Sequence, residues 1–170
     1  MMNREENKTG EKFRMKRKEF DYYIFIDYSE SLIGYTIIEK SKIRDLLPKI
    51  SKLAHYKEIV HKKPYLAAIR KRFEREEITK FLMKWKIRNM KENIEIFSDV
   101  LEFVKRNDNC AIFVSVDNNQ YKSFLKLFEV FPHKENVEVS QESCLRKGSI
   151  ECRLSYIIDN LLNIKRTKNA

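Results

Sequence analysis

The sequence predicts an α/β fold, a mixed β-sheet with helices on its faces. Three observations carry that prediction. Strand-type and helix-type apolar patterns follow one another as strand, strand, helix, candidate strand, two helices, strand, helix, strand, helix. One run, Cys110 to Val116, is apolar almost throughout, as in a strand covered on both faces. A chain of 170 residues, 42% hydrophobic and 35% charged, is long enough to close one core and too apolar to remain unfolded.

Each element has its own signal. Tyr22 to Tyr28 is rich in aromatic and β-branched residues and Leu32 to Ile38 is strand-like again, so Ser29-Glu30-Ser31 between them reads as a hairpin turn. Ile43, Leu46, Leu47 and Ile50 recur at helical spacing around Pro48, which predicts a short or broken helix. Tyr56 to His61 is the candidate third strand. From Pro64 onward, Leu66, Ile69, Phe73, Ile78, Phe81, Leu82 and Trp85 predict one long amphipathic helix. Asn93 caps the next, with Ile94, Phe97, Val100, Leu101 and Val104 as its stripe, and Asn107-Asp108-Asn109 breaks the pattern before the Cys110 strand. Asn118 caps a helix that turns Tyr121, Phe124, Leu125 and Phe128 inward and ends at Pro132. Val137 to Ser140 is a short strand. Gly148-Ser149 then introduces a closing helix that packs Ile150, Leu154, Ile157, Ile158, Leu161 and Leu162 on the sheet. Residues 1–20 read as a mobile basic arm and residues 21–170 as a single domain.

The net charge of +10 is unevenly placed. Between Lys62 and Lys91 eleven Lys or Arg face only Glu74, Glu76 and Glu77, so this segment, expected to be largely helical, carries most of the excess. A polyanion fits such a face, because counterions released from phosphates favour binding. Lys62, Lys63, Arg70, Lys71, Arg75, Lys84 and Arg88 are therefore the candidate nucleic-acid contacts, although a solvated helix face accounts for the same charge. No apolar stretch approaches the roughly 18 residues of a membrane span, and the polar start Met1 to Lys18 lacks a secretory leader. Cys110, Cys144 and Cys152 have no C-x-x-C spacing and read as reduced thiols of a cytoplasmic protein. His55, His61 and His133 lack metal-ligand spacing, and no Gly-rich phosphate loop exists.

Acidic residues stand where acids are costly. Asp27 closes an apolar strand on the same side of the pleat as Tyr23 and Phe25, and Asp117 follows the apolar run that ends in Val116. Asp159 borders the apolar stripe of the last helix, and Glu58 lies inside the candidate third strand. Mg²⁺ or Mn²⁺ prefers carboxylate oxygens, and two such ions roughly 4 Å apart activate water and steady the leaving oxygen of a phosphodiester. Asp27, Glu58, Asp117 and Asp159 are thus the candidate catalytic and metal-holding residues. Each also has an ordinary structural use: Asp117 before Asn118 suits a helix start, and Asp159 suits a pair with Arg153 or Lys165. Glu142-Ser143 resembles an acid–Ser pair, which a polar loop explains equally well.

On these residues the chain resembles the ribonuclease H-like superfamily, and within it a family with a Y-I-D-E-S-G opening. The opening here is Phe25-Ile26-Asp27-Tyr28-Ser29-Glu30, which keeps the Asp and Ser and lacks the Glu and Gly. Glu58-Ile59-Val60-His61-Lys62 is similar to the family's E-x-K-like segment, Val114-Ser115-Val116-Asp117 to its strand ending in Asp, and Ile158-Asp159-Asn160-Leu161-Leu162 to its closing helix. The resemblance implies a metal-dependent nuclease, or nuclease-like protein, hydrolysing phosphodiesters in RNA or DNA with Mg²⁺ or Mn²⁺. The alternatives are a nucleic-acid-binding module that has lost its chemistry and a protein-interaction subunit with a basic helix.

Overall fold

The computed structural model describes residues 19–130 and 136–168. Five strands form one sheet: β1 (Tyr22–Ser29), β2 (Leu32–Glu39), β3 (Lys84–Asn89), β4 (Cys110–Ser115) and β5 (Val137–Gln141). Their order is β3-β2-β1-β4-β5. β2 runs antiparallel to both β1 and β3, whereas β1, β4 and β5 are mutually parallel and therefore share one carboxyl edge. The helices are α1 (Lys40–Lys49), α2 (Lys62–Arg75), α3 (Asn93–Arg106), α4 (Asn118–Val130) and α5 (Ile150–Lys168). The mixed sheet with covered faces is the α/β class expected from the sequence.

Alternation along β1 divides the core in two. Tyr23 and Phe25 point into a cluster with Leu46 of α1, Ile69 and Phe73 of α2, and Leu154, Ile157 and Ile158 of α5. Ile24 and Ile26 point the other way, onto Phe97, Val100 and Leu101 of α3 and Phe124 of α4. Burial on both faces explains why β1 and β4 read as nearly continuous apolar runs.

Three expectations need correction. Tyr56 to His61 is no strand: Tyr56–Glu58 forms one 3₁₀ turn, with the His55 Nδ1 accepting the Lys57 N–H at 3.2 Å. The third strand is β3, inside the segment expected to be helical. The long helix stops at Arg75, since Glu77 adopts a left-handed φ of 49°, and Ile78–Phe81 follows as a 3₁₀ turn. Lys84 and Arg88 consequently lie on an edge strand and not on the basic helix. The third correction is at the arm, where Phe20 is buried against Tyr23 and Glu19 pairs with Lys40. Ordered structure thus reaches back into residues expected to be mobile, while residues 1–18 and the helix-ending Pro132 lie outside the described residues.

Two positions bring α5 and the end of β1 together. At Gly34 on β2, the partner of Asp27 across the β1–β2 ladder, a Cβ would lie 2.7 Å from the Lys86 carbonyl oxygen and 3.0 Å from Cδ1 of Ile158. Only a glycine fits here between the β3 backbone and the Ile158 side chain of α5. At the hairpin, Ser29 donates to Oδ1 of Asn163 at 2.9 Å and accepts from Nε of Arg166 at 3.2 Å, which pins the end of β1 to α5. Glu30, where the resembled opening has glycine, holds φ at 53° and pairs with Arg166 at 3.6 Å. A left-handed φ is the conformation that glycine adopts without a Cβ clash.

Candidate active site

The register brings the ends of three strands to one edge. Asp27 pairs with Ser115, and Val114 pairs with Gln141, the last residue of β5; Glu142 follows as the first residue of a 3₁₀ turn, Glu142–Cys144. Asp27 and Ser115 therefore stand side by side at the carboxyl edge of the parallel strands, with Glu142 just past the end of β5, and open α/β sheets bind ligands at such an edge. Asp159 reaches this edge from α5.

Asp27 is 5% exposed. Its Oδ1 accepts the Tyr28 N–H at 2.7 Å, but its Oδ2 is buried with no hydrogen-bond partner. Burial holds the Asp27 carboxyl well above the ordinary carboxylate range, and the negative charges of Glu142 and Asp159 push it further; the Tyr28 N–H and the Ser115 side chain oppose them without prevailing. Asp159 is also buried, and its pKa is raised, first by burial and also by Glu142, against the pull of the Tyr56 N–H, His55 and Lys57.

The fixed position of Asp159 comes from a clamp on the preceding loop. Tyr65 on α2 donates to Oδ1 of Asn160 at 2.8 Å and accepts the Ala54 N–H at 3.0 Å, while Nδ2 of Asn160 donates to the Ala54 carbonyl at 3.0 Å. Held this way, the loop presents the Tyr56 N–H to Oδ2 of Asp159 at 2.8 Å. The same loop carries Glu58 to the rim of an open cleft of about 340 Å³ lined by His55, Glu58, Ser115, Glu142, Lys147 and Tyr156.

The expected acids thus divide. Asp27 and Asp159 are brought together. Glu58 is on the cleft rim, with a side chain 58% exposed and 3.8 Å from the Lys147 ammonium. Asp117 lies two residues beyond the end of β4, exposed, and its Oδ1 accepts the Gln120 N–H at 2.8 Å as a cap for α4. Glu142 is the acid that sequence reasoning left out of the site. The signal that finds it is the β4–β5 register, a pairing between distant segments.

Mg²⁺ is commonly held by only one or two carboxylates, with water and substrate phosphate completing its shell. The buried, unpartnered Oδ2 of Asp27 beside Asp159 and Glu142 is a donor set of that kind, hard oxygens whose repulsion a cation would relieve. Among the described residues, no three His, Cys, Asp or Glu side chains converge closely enough to hold a metal by themselves.

The basic candidates divide as well. Lys62, Lys63, Lys71 and Arg75 are exposed on α2, whose first turn adjoins the cleft: the Lys62 ammonium lies 5.3 Å from the centre of the Tyr56 ring. Arg70 is half-buried, with its Nε unpartnered. Lys84 and Arg88 on β3 face acids of α3, at 3.9 Å from Asp99 and 3.0 Å from Glu95. No helix among the described residues is long and apolar enough to cross a membrane.

No family model matches this chain, and no curated protein matches it. Among solved structures the chain is similar to the ribonuclease H2 from Pyrococcus horikoshii OT3, with a TM-score of 0.49 and 15% sequence identity, over 86% of this chain and 72% of that one.

Proposed function

We propose that this chain is a divalent-metal-dependent nuclease with a ribonuclease H-like domain, hydrolysing phosphodiesters in RNA or DNA. The observation that carries this reading is Asp27, an acid buried at the carboxyl edge of the parallel strands with one oxygen unpartnered and two further acids pressing on it. A folded chain retains such a group at a cost in stability, and a functional site is the usual reason.

In this reading Asp27 and Asp159 hold Mg²⁺ or Mn²⁺, Glu142 approaches from β5, and Glu58 and Asp117 stand at the margins. The metal, when bound, supplies an activated water and charge stabilisation at the leaving oxygen. The chain's own residues do the positioning. The Tyr56 N–H fixes Oδ2 of Asp159 and the Tyr28 N–H fixes Oδ1 of Asp27, whose Oδ2 keeps no hydrogen-bond partner. Lys62 and Lys63 lie beside the cleft, and Arg70, Lys71 and Arg75 continue along α2 for roughly 20 Å, a path on which successive phosphates would lie. Lys84 and Arg88, on the opposite side of the sheet edge, share their charge with Asp99 and Glu95 and add less.

The test is cleavage of end-labelled RNA and DNA, single- and double-stranded, with Mg²⁺ or Mn²⁺. Wild type should cut and Asp27→Asn should lose activity on the order of 10³-fold, since the lost metal contact is worth several kcal/mol. Both proteins should bind nucleic acid alike. The second reading, a binding module without chemistry, is favoured by one observation: Ser115 occupies the strand position beside Asp27. Binding without any cleavage by wild type would select it.

A further inference from the structure

Beyond the hydrogen bond from Tyr65 to Asn160, the second half of α2, the 3₁₀ turn Ile78–Phe81 and the last turns of α5 border a second open cavity, of about 400 Å³. Small-molecule sites begin at roughly 300 Å³. Its floor is apolar: Phe73 and Leu161 are the outer margin of the core, and Ile164 packs on the same cluster. Its walls are charged. Lys80 is matched by Glu77 at 3.1 Å, but Arg70 and Lys168 have no ion pair among the described residues. Arg70 is half-buried, and its Nε is buried without a hydrogen-bond partner. A cationic donor withdrawn from water and left unsatisfied is a cost that an anionic acceptor at the same guanidinium relieves.

We propose that this cavity binds a nucleoside monophosphate unit, free or at the phosphorylated end of a strand, with its phosphate on Arg70 and Lys168 and its base on the apolar floor. The proposal rests on nucleic acid as the partner of this chain and not on cleavage.

Floor and walls together require an anion joined to a flat, largely apolar body. A bare phosphate leaves Phe73, Leu161 and Ile164 uncovered, and an apolar ligand leaves Arg70 unmatched. Glu74, exposed on the wall and without an ion pair among the described residues, is an acceptor for ribose hydroxyls and repels a ligand that is anionic at both ends. A guanidinium binds phosphate through paired N–H bonds, and a terminal phosphate offers it one more charge and one more free oxygen than an internal diester does. Arg70 follows Lys62 by eight residues on α2, about 12 Å along the axis, so a strand lying on the basic ridge from the first cleft arrives here.

The experiment measures binding to the full chain, without divalent metal, of one short single-stranded oligonucleotide in 5′-phosphorylated, 3′-phosphorylated and unphosphorylated forms, and of AMP. Wild type should bind one phosphorylated form on the order of tenfold more tightly than the unphosphorylated one. Arg70→Gln should lose that preference and Arg70→Lys should keep part of it, whereas Lys71→Gln, on the exposed ridge, should weaken all three forms alike. Both sources of the ligand support the proposal: competition by AMP marks a free nucleotide, and a preference that AMP leaves untouched marks the strand end. Equal binding of the three forms with AMP unbound would overturn the proposal and leave the nucleic-acid reading intact. No binding of any form at low salt would overturn both. Inorganic phosphate that competes as well as AMP would overturn the role of the apolar floor. Should Arg70→Gln fail to fold, Lys168→Gln repeats that arm from an exposed position.

Discussion

Asp27 and Asp99 are two carboxylates that the fold draws largely out of water, on opposite faces of the same sheet, and they are treated in opposite ways. Asp99 on α3 receives the Tyr35 hydroxyl at 2.9 Å and the Lys86 ammonium, with Lys84 at 3.9 Å; Lys86 also reaches Glu95 at 3.0 Å. Burial alone would raise the Asp99 pKa, but the Lys86 and Tyr35 hydrogen bonds overcome it and hold the carboxyl below its ordinary value. Asp27 has neighbours of its own sign and keeps one oxygen bare. The chain thus supplies one acid with cations and a hydroxyl and surrounds the other with charges of its own sign. Burial differs too, since Asp27 is 5% exposed and the Asp99 side chain 21%, but the sign of the neighbouring charges is what sets the two pKa values apart.

Adding the missing partner should break the contrast most strongly. At Mn²⁺ a hundredfold above its dissociation constant, wild type should gain about 2.7 kcal/mol by mass action, and Asp27→Asn should gain little. Urea unfolding with and without Mn²⁺ measures both.

Removing each acid's problem, or its solution, should have opposite signs. In metal-free protein at neutral pH, Asp27→Asn should stabilise, because it removes a buried charge that faces two others of its own sign. Tyr35→Phe should destabilise by about 1–2 kcal/mol, because it removes a hydrogen bond to a charged acceptor. Chemical unfolding midpoints at constant slope distinguish the two.

The smallest effect is the most diagnostic, a pair of opposite pH slopes. A folded pKa above the unfolded one means that the folded state binds the extra proton. The Asp27 contribution should therefore lower stability as pH rises from the ordinary carboxylate range to its raised value. A depressed folded pKa means the reverse, so the Asp99 contribution is fully present above the ordinary range and fades as pH falls through its lowered value. Unfolding free energy measured from acid to neutral pH should lose the first slope in Asp27→Asn and the second in Asp99→Asn.

The sequence made visible those elements whose signal is local and buried. β1, β2, β4 and α5 were legible because burial on two faces or along one stripe writes itself into the apolar pattern. β3 was not: it is an edge strand with Ile87 as its one buried residue, so its Lys-Trp-Lys-Ile-Arg run resembles a solvated helix face. At the site, Asp27 and Asp159 stood out as acids bordering apolar runs, and Asp117 before Asn118 already carried its capping role. Glu142 stood out only as half of an acid–Ser pair, because its proximity to Asp27 depends on which strands pair, a relation between residues more than 100 positions apart that no local pattern encodes.

Gly34 gives the site a gauge. A methyl group there would meet the Lys86 carbonyl oxygen of β3 at 2.7 Å and Cγ1 of Ile87 at 2.9 Å, so β2 and its neighbour would have to part by some tenths of an ångström at the position that pairs with Asp27. That is the scale on which hard cations differ, with oxygen ligands at about 2.0–2.1 Å around Mg²⁺ and about 2.3–2.6 Å around Ca²⁺. If the acids hold an ion as proposed, its size preference would depend on a residue with neither charge nor side chain, and Gly34→Ala should shift the preference between Mg²⁺ and Ca²⁺ by displacing Asp27 while every carboxylate is retained.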